Sequence, residues 1–191
     1  SSSSKVIFND TNENLIDLIE FIKDTDTDAL LKQIDNIIEA YNLSNTSLYG
    51  YSYYDCDSSR GLAEYNKGRF LKLRDDFNAK VLVGEIDYPS LYVLMVFSFN
   101  NQIRFNRKGL FNLPVGKRDF NSKMRSKLVL FSEELKSKDV QFMKKDFREI
   151  SLDDFSQETF IYCDPPYLIT NATYNENGMW TEIEEKALLE F

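Results

Sequence analysis

Residues 160–167 read Phe-Ile-Tyr-Cys-Asp-Pro-Pro-Tyr, and no other stretch of the chain leaves the backbone so few options. Four apolar or β-favouring residues run into an acid and two successive prolines. Each proline fixes φ and removes an N–H donor, and the residue before a proline is kept out of the helical region. The segment therefore excludes a helix and predicts a buried strand over 160–163 that ends in a rigid turn. That turn sets the Asp164 carboxylate beside the Pro165 carbonyl, followed by Pro166 and the Tyr167 ring. Two neighbouring acceptors and a stacking face suit a planar base with an exocyclic amino group. The competing reading is a tight strand-exit turn with a surface aromatic.

Around this segment the pattern alternates. Short strands are expected at 5–8, ending at Asn9-Asp10, and at 140–143, followed by Lys145-Asp146-Phe147. Leu15, Leu18, Ile19 and Ile22 recur at helical spacing over 12–22, with Thr11 or Asn12 as the cap. Leu30, Leu31, Ile34, Ile37 and Ile38 mark a second helix over 28–41. Helices are also predicted over 66–77, 88–99 (with Pro89 in its first turn) and 123–136, and from near Glu182. Residues 48–60 are aromatic and turn-rich with no clean period. Gly109, Pro114 and Gly116 punctuate the stretch after 102 as a hairpin or loop. Strand, helix, large insert, strand, strand is an α/β order. Sheets of that class place ligand residues just past the carboxyl ends of their strands.

Composition removes several kinds of chemistry. There is no histidine, so histidine acid–base catalysis and Ser-His or Cys-His nucleophile pairs are excluded. The two cysteines, Cys56 and Cys163, are far apart, which speaks against a disulfide framework and cannot complete a zinc site. No metal is expected. No apolar run approaches the roughly 18–20 residues of a membrane span, and no secretory signal is visible, so no membrane partner is expected. The net charge of −8 hides an asymmetry. Between residues 102 and 127 stand Arg104, Arg107, Lys108, Lys117, Arg118, Lys123, Arg125 and Lys127 against the single acid Asp119. That window carries +7, which leaves −15 on the rest of the chain. A basic patch on an acidic body is a footprint for a polyanion, with a solvated charged face as the alternative.

Four segments, in order, resemble those of Dam-type DNA adenine-N6 methyltransferases that use S-adenosylmethionine. FIYCDPPY resembles their catalytic motif IV. VIFNDTNENLI resembles the strand and helix with an acid at the strand end. RFNRKGLFNLPVGK resembles their DNA-reading insert, with an FNxPxGK signature at Phe111, Asn112, Pro114, Gly116 and Lys117. VQFMKKDF resembles the strand preceding motif IV. The resemblance spans nearly the whole chain.

It implies a Rossmann-like class I methyltransferase sheet, incomplete in this chain, with a largely helical DNA-recognition insert carrying a hairpin. Residues 1–44 and 138–191 would belong to the catalytic domain and 45–137 to the insert. The target adenine would be flipped from duplex DNA. Asp164 and the Pro165 carbonyl would accept hydrogen bonds from its N6, Pro166 would stiffen the turn, and Tyr167 would stack on the base. Asp10 would hold the cofactor ribose, with a helix-cap or turn role as the alternative. Asp146 would accept a bond from the cofactor adenine, with a solvated loop acid as the alternative; Phe147 would flank that ring, with a core role as the alternative; and Asp164 would also lie against the cofactor. Arg104, Asn106, Arg107, Lys108, Asn112, Lys117 and Arg118 are the candidate DNA contacts, with a turn role alone as the alternative for Asn106 and Asn112.

One departure bears on these expectations. The family's glycine-rich cofactor loop, FxGxG-like, is absent, and no GxG occurs elsewhere. In the family that loop follows a central strand lying between those at Val6 and Phe160. The chain is therefore expected to be truncated and to bind S-adenosylmethionine poorly alone. The implied target contains GA, with GATC the leading choice, in restriction–modification or genome marking. A cognate endonuclease would act on the same site without contact, in a prokaryotic or phage-infected cytoplasm. An RNA or protein amino-methyltransferase, or a non-catalytic DNA-binding fragment, are the alternatives.

Overall fold

The computed structural model describes residues 5–165 and 180–191. Two strands, β1 (Lys5–Asn9) and β2 (Asp139–Met143), pair in parallel with Lys5 opposite Asp139 and Asn9 opposite Met143. A parallel pair needs a crossover connection. Here nearly everything between residues 10 and 138 supplies it, as a helical bundle.

The helices begin where side chains can cap them. Asn12 accepts from the Leu15 N–H and opens α1 (Glu13–Asp24), which buries Ile16, Leu18 and Ile22. Asp26 caps α2 (Thr27–Ala40), whose Leu30, Ile34 and Ile38 form a stripe at four-residue spacing. A short α3 (Thr46–Tyr49) and a 3-10 turn (Ser52–Tyr54) follow. The long α4 (Ala63–Leu82) turns Asn66, Phe70, Leu73 and Phe77 inward. Asp87 caps α5 (Tyr88–Phe97), with Pro89 in its first turn. This helix buries residues on every side, so it forms the centre of the bundle. Asn121 caps α6 (Ser122–Ser137), which leads directly into β2. A final helix, α7 (Glu182–Glu190), carries a Thr181–Glu184 capping box. One hydrophobic cluster joins α1, α2, α4, α5 and α6, with Phe8 and Val140 of the sheet packed against it.

The strand expected at 160–163 is a correction. The segment has no regular structure, and Phe160, Ile161 and Tyr162 are 86%, 44% and 76% exposed. A strand exists only by exchanging backbone hydrogen bonds with a neighbour. Among the described residues the sheet contains β1 and β2 alone, and neither pairs with this segment. The charged helix predicted at 66–77 is longer, and the expected hairpin is present beyond α5.

Candidate functional site

The parallel register brings the carboxyl ends of β1 and β2 together. Beyond them the Asn9 side chain bridges the strands. Its Nδ2 donates to the Lys145 carbonyl at 2.9 Å and its Oδ1 accepts the Lys145 N–H at 3.0 Å. Asp10 and Asp146 therefore leave adjacent strand ends, as the sequence pattern anticipates. Asp10 Oδ1 accepts the Asn12 N–H at 2.7 Å, so one oxygen shapes the turn into α1. Asp146 caps a 3-10 turn (Phe147–Glu149) through the Arg148 N–H at 2.9 Å. Both its oxygens also lie 3.0 Å from Arg148 Nη1. The Arg148 guanidinium covers Phe147 at 4.5 Å from the ring centroid, and Trp180 and Phe191 pack on the same ring.

A small cleft lies at the start of α1. It is lined by Asn12 and Leu15 of α1, Met95 of α5, and Asn101, Gln102 and Ile103. Ile103 is followed at once by the hairpin, so the cleft joins the hairpin base to Asn12, whose N–H is held by Asp10.

In the hairpin Phe105 bridges Phe111, Asn106 donates its N–H to the Leu110 carbonyl at 2.9 Å, and Asn112 donates its own to Arg104 at 3.2 Å. The Asn106 carbonyl accepts from Gly109 at 2.8 Å, with Gly109 at φ +72°. This is a turn followed by a left-handed residue that glycine tolerates. Asn106 Oδ1 also takes the N–H groups of Lys108 and Leu110. Arg104 Nε reaches Asn112 Oδ1 at 2.8 Å, and its Nη2 lies 3.3 Å from the Asn112 carbonyl. Arg104, Asn106 and Asn112 thus bind the hairpin to itself. Arg107 and Lys108 are exposed at its tip, and Lys117 and Arg118 are exposed beyond it.

The FNxPxGK signature has a packing logic. Phe111 is buried against Phe77 and Phe105. Pro114 offers its carbonyl to the Phe99 N–H at 2.9 Å. Gly116 lies so close to Ser98 that a Cβ would fall 2.3 Å from the Ser98 carbonyl oxygen. Lys117 gives its carbonyl to the Leu62 N–H and turns its side chain to solvent.

Asp164 is exposed and Pro165 half-buried. Among the described residues, no hydrogen bond, ion pair or ring contact joins either of them to Asp10, Asp146 or Phe147. Pro166 and Tyr167 lie outside the described residues.

Sequence reasoning missed Asn9, Arg148 and Asp119. Asp119 is fully buried and accepts from the Thr46 N–H and Oγ1 at 2.6 and 2.8 Å. Burial pushes its carboxyl above the ordinary value, although these hydrogen bonds oppose the shift. Its signal was its isolation: it is the one acid of the basic window.

The family model of D12 class N6 adenine-specific DNA methyltransferases matches residues 2–191. The chain is 31% identical over 195 residues to the type II methyltransferase M.FokI of Planomicrobium okeanokoites, covering 99% of this chain and 26% of that protein. It is also 31% identical to the modification methylase StsI of Streptococcus sanguinis, with the same coverage. A DNA adenine methylase of Vibrio cholerae is 28% identical over 144 residues, 73% of this chain and 49% of that protein. The chain thus spans about a quarter of the length of the first two relatives.

Proposed function

The chain belongs to the D12 class N6 adenine-specific DNA methyltransferases, and on that premise we propose that the protein methylates N6 of an adenine flipped out of duplex DNA. The observation that carries this reading is the shared cleft. One wall is Asn12, whose N–H is held by Asp10, and the other is the base of a hairpin with exposed cations.

S-adenosylmethionine would supply an electrophilic methyl group at that edge. The residues present fit part of it. Asp10 lies past a strand end, where such sheets bind ribose hydroxyls, and one carboxylate oxygen is committed to Asn12. Phe147 would flank the cofactor adenine and Asp146 would accept its amine once Arg148, which covers the ring and engages the carboxylate, moves aside. The rest of the binding surface would come from a glycine-rich loop, which this sequence does not contain.

The N6 lone pair of adenine is delocalised into the ring and is a poor nucleophile. Asp164 and the Pro165 carbonyl would accept its two N–H groups and favour a more tetrahedral nitrogen. Pro166 would hold the turn rigid, and Tyr167 would stack on the flipped base. Arg107, Lys108, Lys117 and Arg118 would meet phosphates and base edges. Arg104, Asn106 and Asn112 would keep the hairpin in the shape that presents them. The target would contain GA, as in GATC, within a restriction–modification or genome-marking system of a prokaryotic or phage-infected cytoplasm. A cognate endonuclease would share the site without touching this protein.

The test is methyl transfer from labelled S-adenosylmethionine to duplexes containing GATC, GATATC or neither. N6-methyladenine is expected on one duplex, with Asp164→Ala abolishing transfer while DNA binding persists. Transfer to RNA or protein alone would overturn the substrate. Equal loss of binding and transfer in Asp164→Ala would overturn the role of that residue.

A further inference from the structure

The segment between α2 and α4 presents a surface that the charge pattern does not announce. Tyr49 and Tyr53 stack with ring centroids 4.7 Å apart at 23°, yet remain 52% and 64% exposed. Leu48 beside them is exposed as well. Paired aromatic rings left in water are typical of a contact surface, because tyrosine offers an apolar face and a polar tip together.

This platform is rigidly built. The Asn45 side chain caps α3 at the Leu48 N–H, and the Asn45 N–H donates to the Tyr54 hydroxyl at 2.7 Å. Tyr54 is buried and meets Tyr53 and Tyr65 edge-on. Thr46, at the start of α3, is fastened to buried Asp119. Asp119 directly follows Lys117 and Arg118, so the platform is bolted to the basic segment. A second seam runs alongside. Arg118 Nη1 lies 3.4 Å from the Tyr51 hydroxyl and 3.3 Å from the Ser58 carbonyl. The Lys117 carbonyl accepts the Leu62 N–H, and Gly61 abuts Lys117 so closely that a Cβ would fall 2.6 Å from its Cβ.

We propose that the Tyr49–Tyr53 platform, with Arg118 pinned at its border, is a second contact surface for the sugar-phosphate backbone of duplex DNA. It flanks the stretch met by the hairpin. The inference rests on the DNA-methylating reading above and adds to it residues outside the basic window. Charge favours this occupant over a protein, since both cations of the adjoining segment, Lys117 and Arg118, are exposed. Arg118 keeps further N–H donors beyond the Nη1 contacts. Asp57, in the turn that follows the platform, accepts the N–H groups of Ser59 and Arg60, and Arg118 lies across the neighbouring Ser58 carbonyl. Tyrosine hydroxyls reach phosphate oxygens and tyrosine faces pack on sugars, both without regard to sequence.

The experiment uses the full-length protein and two duplexes with the same methylation site. One is just long enough for the hairpin, and the other extends it by a helical turn on each side. The double variant Tyr49→Ala/Tyr53→Ala is expected to bind the long duplex about tenfold more weakly. Its affinity for the short duplex and its salt slope should stay unchanged, because no charge is removed. Tyr51→Phe keeps the ring and the fold but removes one of the two contacts that hold Arg118, and is expected to weaken long-duplex binding about threefold. Wild-type affinity of these variants for the long duplex, in an enzyme that methylates its site, would overturn the platform as a DNA surface. A wild-type enzyme that methylates no duplex would instead overturn the reading on which it rests.

Discussion

Asn9 binds both backbone polar groups of Lys145, 136 residues away, with its side-chain amide. The contact lies just past the last paired residues, Asn9 and Met143, and fixes how Asp10 and Asp146 leave the sheet. Asn9→Leu removes both bonds while exposing the freed groups to water. The cost in stability should therefore be modest, about 1 kcal/mol. The effect on cofactor binding should be larger, because the acids leave their strands independently once the clip is gone. Urea titration and calorimetric titration of S-adenosylmethionine into the full-length protein measure the two. A stability loss with unchanged affinity would separate the clip from the site.

What the sequence made legible, and what it concealed, follows from how local each interaction is. The stripe of Leu30, Ile34 and Ile38, the Pro89 entry to α5 and the two short strands that precede Asp10 and Asp146 are local patterns, and the fold realises all of them. Residues 160–163 have the composition of a strand, but composition cannot provide the neighbour that a strand must pair with. The clip at Asn9 and the anchor at Asp119 join residues 136 and 73 positions apart, so neither leaves a periodic trace. Arg104 and Asn112 are expected at DNA from their type and charged setting, a reading the hairpin contact leaves open. Only the hairpin register shows that they face each other.

Gly116 and Gly109 should respond differently to alanine. At Gly116 the new Cβ would meet the Ser98 carbonyl oxygen at 2.3 Å and its carbon at 2.7 Å, and backbone cannot swing aside. The same residue donates its N–H to the Phe97 carbonyl at 2.7 Å, so displacement also breaks that bond. Gly116→Ala should cost about 3 kcal/mol. At Gly109 nothing lies within 4 Å, and the penalty is only that of φ +72°, about 1 kcal/mol. Thermal unfolding of the two variants gives the comparison, and an equal cost would contradict the tight approach at Ser98.

The entry to α5 should make stability acid-sensitive. Burial acts to raise the Asp87 carboxyl, but hydrogen bonds from Lys80 and Ser90 outweigh it and hold the group below its ordinary 3.8. A depressed carboxyl stabilises the fold above its unfolded value, and that contribution disappears as pH falls through the folded one. Lys80 is raised chiefly by its hydrogen bond to Asp87, so its share is present below 10.5 and is lost only in strong alkali. Asp87→Ala removes the cap and the ion pair, and should cost about 1 kcal/mol at pH 7. The difference from wild type should shrink at pH 3. Urea midpoints at both values test this, and a pH-independent difference would mean that the carboxylate's charge is irrelevant.

Lys108 and Arg104 are both basic and four residues apart, yet the hairpin gives them different work. Lys108 is exposed at the tip. Lys108→Ala should leave thermal stability unchanged, weaken binding similarly on all duplexes, and lower the salt slope by about one. Arg104 spans the hairpin to the side chain and carbonyl of Asn112. Arg104→Ala should lower stability by about 1–2 kcal/mol, because a half-buried charged hydrogen bond is lost and its Asn112 partners are left behind. DNA affinity should fall with it, through a hairpin that no longer holds the exposed tip in place. Calorimetric melting beside binding titrations at several salt concentrations distinguishes the pair. An Arg104→Ala protein with wild-type melting and a lowered salt slope would show that its guanidinium turns outward to DNA instead of across the hairpin.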